Sequence, residues 1–240
     1  MMKDEKEVLV KLENVSRYFK MGDQKIHALN KVNLEIGKGE FILILGPSGS
    51  GKTTLLNQIG GIDKPNEGKV IVGGKDISHL PDNELTKYRA KTIGWVFQFF
   101  NLIPSLNAWE NVALSLELSG NTMDMEKRSK EILARVGLKE KTDLFPPQMS
   151  GGEQQRVALC RALIKSPLLI IADEPTGNLD HKTGLEIVSL MKELNREEGT
   201  TFVVVSHDES LKAVADRVLH LVDGQIVEDH KQSPKAMGAS

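Results

Sequence analysis

Apolar residues in this chain fall into three periodicities, and their order predicts the architecture. Residues 8 to 13 (Val-Leu-Val-Lys-Leu-Glu) and 32 to 36 (Val-Asn-Leu-Glu-Ile) alternate with the period of half-buried strands. The stretch between them reads as a loop carrying Tyr18-Phe19-Lys20-Met21-Gly22. An aromatic there either stacks on a purine or packs at the rim of a core. Phe41 to Leu45 is apolar on both faces, as in a central parallel strand, and Leu55, Leu56, Ile59 and Ile62 follow at helical spacing. Lys69 to Val72 predicts a further strand, Pro81 to Arg89 a short helix, and Thr92 to Phe97 a strand ending at Gln98.

From Phe99 to Met149 helical periodicity replaces strands. Asn107 and Glu110 form a capping-box pattern ahead of Trp109, Val112 and Leu116. Ser119-Gly120-Asn121 ends that helix, and Met125, Ser129, Ile132, Leu133 and Val136 predict another, stopped by Gly137. Phe145-Pro146-Pro147 predicts an extended linker. Beyond it, Val157, Cys160, Arg161 and Ile164 mark a helix, Leu168 to Ala172 a buried strand, and Ile187 to Leu194 a helix. Thr201 to Val205 is another buried strand, and the pair Asp223-Gly224 closes a hairpin. The expected fold class is α/β: a core with a mainly parallel sheet, an N-terminal antiparallel β subdomain and a helical insertion. A single domain of 1–240 divides into 1–98 and 150–230 as core plus β subdomain, 99–149 as helical subdomain, and 231–240 as tail.

Composition narrows the function classes. The 240 residues are 40% hydrophobic, enough for a substantial core, and 31 Lys+Arg against 33 Asp+Glu give a net charge of -2. That balance offers no electrostatic footprint for nucleic acid, so no nucleic-acid partner is expected. The single cysteine, Cys160, precludes an internal disulfide and suits a reducing compartment. The start, Met-Met-Lys-Asp-Glu-Lys-Glu, is too charged for a signal peptide, and no apolar run approaches the roughly 18 residues of a spanning helix. A cytoplasmic protein that meets a membrane only through a partner is expected.

Candidate chemistry sits between the strand at 41–45 and the helix that follows. Gly46-Pro47-Ser48-Gly49-Ser50-Gly51-Lys52-Thr53 fits GxxxxGK[ST], the phosphate-binding loop of P-loop NTPases. Glycines let backbone N–H groups approach triphosphate oxygens without Cβ clashes, and the helix N-terminus faces the same anion. Lys52 would neutralise the β- and γ-oxygens, Thr53 would ligate Mg2+, and Thr54 would reach the α-phosphate. Asp173 and Glu174 end a buried strand, where ligands bind in open α/β sheets. Asp173 would hold Mg2+, directly or through water, and Glu174 would polarise the attacking water. His207 and Gln98 also end strands, so His207 can reach the γ-phosphate and Gln98 the Mg2+ or the water.

With Met149-Ser150-Gly151-Gly152-Glu153-Gln154-Gln155, the sequence resembles the ATP-binding subunits of ABC transporters over residues 8 to 228. The loop at 46–53, Gln98, the signature at 149–153, Leu168 to Glu174, Gly177-Asn178-Leu179-Asp180 and His207 stand in the family's order. The resemblance implies an ATPase using ATP and Mg2+ as a head-to-tail homodimer. Ser150 and the Gly151 and Gly152 amides would then bind the γ-phosphate held by the other subunit. Asp180 would lie at the dimer contact, and Phe19, rather than Tyr18, would stack on adenine. Met149 and Glu153 replace the usual leucine and glutamine; neither change removes a phosphate ligand. Phe97 to Pro104 and Asn107 to Val112 resemble the lipoprotein-release and macrolide-export group. That group implies a separate integral membrane permease at the inner face of the cell membrane, engaged through Phe99 to Glu110. An amino-acid importer ATPase is the alternative, and a soluble non-transport ABC ATPase a remote one.

Overall fold

The computed structural model describes residues 7–21 and 24–232. Two sheets organise them. Strands β1 (Val8–Met21), β2 (Gln24–Gly37), β4 (Glu67–Val72) and β5 (Lys75–Asp76) form an antiparallel sheet in the order β2-β1-β4-β5. The second sheet runs β10-β9-β3-β8-β7-β6, from β3 (Phe41–Leu45), β6 (Ile93–Phe97), β7 (Leu169–Asp173), β8 (Thr201–Val205), β9 (Arg217–Val222) and β10 (Gln225–Lys231). All its pairings are parallel except the β9-β10 hairpin.

The strands that read as apolar on both faces do so because the parallel sheet separates two cores. Phe41, Leu43 and Leu45 join one with Ile170, Ala172, Phe202 and Val204, while Ile42 and Ile44 join the other with Leu169, Ile171, Val203 and Val205. Helix α1 (Lys52–Ile59) and the antiparallel sheet close the second core. Helices α3 (Ala108–Ser119), α4 (Met125–Arg135), α5 (Gly151–Leu163) and α6 (His181–Glu198) contribute to the first, whereas α2 (Asp82–Thr92) packs on the second through Leu85 and Tyr88.

Four local expectations need correction. Tyr18 and Phe19 lie within β1, not in a loop, because that strand continues past register irregularities flanking Val15; Asn14 there and Lys31 on β2 adopt positive φ (49° each). These bulges interrupt the alternation and hide the strand's length. Ile62 is 50% exposed, since α1 stops at Ile59 and Gly61 turns left-handed (φ 64°). After Phe145, which is extended as its place before proline requires, Pro146–Gln148 form a single 3-10 turn instead of an extended linker. Strand β10 continues to Lys231, into the expected tail; Gly22 and residues 233–240 lie outside the described residues.

Candidate active site

The chain passes from β3 into α1 through the glycine-rich loop, and two close approaches dictate its residues. A Cβ on Gly46 would stand 2.1 Å from the Leu221 carbonyl oxygen, and one on Gly51 2.2 Å from that of Ala28; their φ values are 157° and 103°. Glycine alone lets the loop lie this close to β9 and β2. The loop borders a cavity of about 410 Å3 whose walls include Ser48, Gly49, Gly51, Lys52, Thr53 and Thr54. Asp173, Glu174 and His207, from the carboxyl ends of β7 and β8, line it as well. The Lys52 ammonium donates to the Gly46 and Pro47 carbonyls at 2.8 and 2.9 Å. Ser50, within the loop, is buried.

Two side-chain pairs lie in the cavity. Thr53 donates its hydroxyl to the Asp173 carboxylate at 3.0 Å. Burial raises the Asp173 pKa; the Thr53 hydrogen bond and Lys52 pull it down, and the Glu174 charge adds to the rise. Hydroxyl and carboxylate together are the hard oxygen donors that Mg2+ takes alongside substrate phosphates, so this pair fits that ion. Beside it, His207 Nδ1 lies 3.0 Å from Glu174 Oε2. Glu174 itself sits at φ 48° with its N–H on the Val205 carbonyl, a left-handed geometry held by the neighbouring strand.

Other expected site residues lie outside this cavity. Gln98 turns toward the loop after β7: its amide donates to Asn178 Oδ1 at 3.4 Å, and the Asn178 amide donates to the Gln98 carbonyl at 2.9 Å. Gln98 does not border the cavity that holds Thr53 and Asp173, and the bond to Asn178 uses its amide N–H, leaving the amide oxygen, the expected Mg2+ donor, outside that bond. Ser150 caps α5, accepting from Glu153 N while Glu153 accepts from Ser150 N. Asp180 caps α6, accepting from Thr183 N at 3.1 Å. The two caps are neighbours, since a Cβ on Gly152 would come within 2.7 Å of Thr183 Cγ2. Phe19 is 47% exposed, beneath the Arg17 guanidinium at 4.7 Å, and does not border the cavity.

Some shaping residues escape sequence reasoning. Buried Gln155 donates to the Pro175 carbonyl just past Glu174, and Arg161 donates to the Phe100 and Asn101 carbonyls, fixing two left-handed residues (φ 58° and 51°) after Gln98. Their chemistry depends on partners 20 to 61 positions away. Only the place of Gln155 beside the signature hints at its role.

The family model described as "ABC transporter" matches residues 29–177. The chain belongs to the ABC transporter family. This ABC ATPase is 49% identical to an uncharacterized ABC transporter ATP-binding protein of Methanocaldococcus jannaschii over 228 residues, 93% of this chain and 97% of the relative. It is 41% identical to the lipoprotein-releasing system ATP-binding protein LolD of Chromohalobacter salexigens, covering 93% of this chain and 94% of that one. The dimeric structure of the archaeal cassette in a post-hydrolysis state, bound to ADP and Pi, superposes with a TM-score of 0.86 at 46% identity, covering 95% of this chain and all of that one. The subunit is therefore an ATP-binding, ATP-hydrolysing cassette. Among its described residues no helix is long and apolar enough to cross a membrane.

Proposed function

We propose that two copies of this ATPase close head to tail on two MgATP molecules and drive a separate membrane permease of the lipoprotein-release and macrolide-export group. The observation that carries the reading is the division of the site. Thr53, Asp173, Glu174 and His207 share one cavity with the phosphate loop, while Ser150, Gly151 and Gly152 present a capped helix N-terminus elsewhere on the same chain. Mg2+ held by Thr53 and Asp173 would supply charge neutralisation at the phosphate oxygens. Lys52 binds the same oxygens, Glu174 takes the proton of the attacking water, and His207 orients that carboxylate. The Asn178 amide, bonded to the Gln98 carbonyl, would link the Gln98 turn to Asp180, the expected dimer contact two residues on.

A groove of about 510 Å3 supports the membrane partner. Ile62, Trp95, Phe97, Leu114 and Leu118 give it an apolar lining, Leu118 is 69% exposed, and Phe99 on the adjoining loop is 72% exposed. Exposed apolar surface of this kind marks a protein-binding site. The similarity to LolD and to the macrolide export protein MacB of Chlorobaculum tepidum, 43% identical over a segment that is 34% of that longer protein, supports the subgroup. The proposed setting is the cytoplasmic face of the membrane.

The test is Glu174→Gln with MgATP on gel filtration. Retained ATP binding, hydrolysis reduced by about 10²-fold or more and a shift to dimer mass are expected. Parental turnover by a monomer would contradict the reading.

A further inference from the structure

Phe19 shares its strand face with Arg17, two residues earlier, and the Arg17 guanidinium lies over its ring at 4.7 Å from the centroid. That guanidinium is not a free surface cation. Its Nε donates to Asp63 Oδ2 at 2.6 Å and its Nη1 to Asn66 Oδ1 at 3.1 Å, both on the segment leaving α1, and its side chain is 21% exposed. Asn66 is fixed in turn: its carbonyl oxygen Oδ1 also accepts from Tyr18 N at 2.9 Å, and its own N–H donates to the Ser16 carbonyl at 2.9 Å. One side of the ring is therefore backed by a planar cation locked in two directions, while Phe19 as a whole stays 47% exposed. Opposite Phe19 on β2 stands Ile26, 48% exposed, and Ala28, which lines the phosphate cavity, follows on the same strand at the register irregularity between the Tyr18–His27 and Arg17–Leu29 pairs. Exposed apolar surface at Phe19 and Ile26 thus stands on the same strand pair that reaches the phosphate cavity through Ala28.

We propose that Arg17 is a positioning residue for the nucleotide base: clamped by Asp63 and Asn66, it holds the Phe19 ring flat so that a purine stacks on the uncovered face. The inference rests on Phe19 being the adenine platform. Holding the ring before binding removes the cost of ordering it on binding, and a stacked cation adds attraction to the ring. Lysine cannot replace it, because an ammonium has neither the plane to stack nor the fork to reach both acceptors.

The test compares MgATP with inorganic tripolyphosphate, which has no base, in the full chain. Arg17→Met and Arg17→Lys should each raise Kd and KM for MgATP about three- to tenfold, with kcat and the tripolyphosphate Kd unchanged. Phe19→Ala should raise the MgATP Kd, and Arg17→Met added to it should cost nothing more. If Arg17→Met weakens both ligands alike, Arg17 is merely structural and the proposal fails. If Phe19→Ala weakens MgATP while Arg17→Met does not, the platform stands without Arg17. An unchanged MgATP Kd in Phe19→Ala removes the platform, and the proposal with it.

Discussion

His207 Nδ1 lies 3.0 Å from Glu174 Oε2, joining the carboxyl ends of two adjacent parallel strands beside the phosphate cavity. Glu174 has a fixed backbone, through its left-handed φ and the Val205 carbonyl, and a side chain only 19% exposed, whereas His207 is 74% exposed. The half-buried carboxylate is thus steered by an imidazole reaching in from solvent. In water that contact contributes little stability, so its consequence should be kinetic.

His207→Ala should lower single-turnover hydrolysis about 10²-fold with nucleotide affinity nearly unchanged. The check is a rapid-quench measurement beside a fluorescent-nucleotide titration. An equal loss in both would place His207 in binding instead.

Asp173→Asn removes the anionic member of the pair with Thr53 while keeping an oxygen that accepts its hydroxyl. The Mg2+ concentration for half-maximal hydrolysis should rise about tenfold or more. Nucleotide binding in EDTA should not weaken, because one negative charge has left the phosphate cavity. Titrating Mg2+ at fixed ATP measures the first effect, and repeating the binding in EDTA measures the second.

How much of this was legible follows from how local each signal is. The loop at 46–53 and the pair Asp173-Glu174 are contiguous, and the strands holding them are apolar on both faces because each faces two cores. The course of β1 was hidden, since its bulges break the period-2 alternation and make Phe19 read as a loop residue. Contacts between distant positions leave no periodic trace at all. Gln98 meets Asn178 across 80 positions and Arg17 meets Asp63 across 46, so neither the tie of Gln98 to the loop after β7 nor the backing of Phe19 shows in the pattern. The exposure of Ile62 was masked for a different reason, because its spacing continues a helix that two glycines end first.

Lys165 offers a pH test of the groove. Burial lowers its pKa from 10.5 to about 8 while its ammonium donates to the Arg89 carbonyl at 3.1 Å. Between pH 8 and 10.5 the unfolded chain holds a proton that the folded chain has released, so this group makes stability rise with pH across that window and leaves it flat below. Lys165→Met should lack that rise. Urea unfolding at pH 7.5, 9 and 10 should therefore show the wild type gaining on the variant as pH increases; parallel curves would contradict the buried ammonium.

The central claim is that the loop at 46–53 forms half a site, completed by Ser150 to Gly152 of a second copy. Its most direct measurement is Ser150→Ala in the Glu174→Gln background, comparing MgATP affinity of the dilute monomer with ATP-dependent dimerisation by analytical ultracentrifugation. The account predicts an unchanged monomer Kd and a dimer weakened by about tenfold or more, the loss of a hydrogen bond to a charged group. A weakened monomer Kd with an unaffected dimer would contradict it.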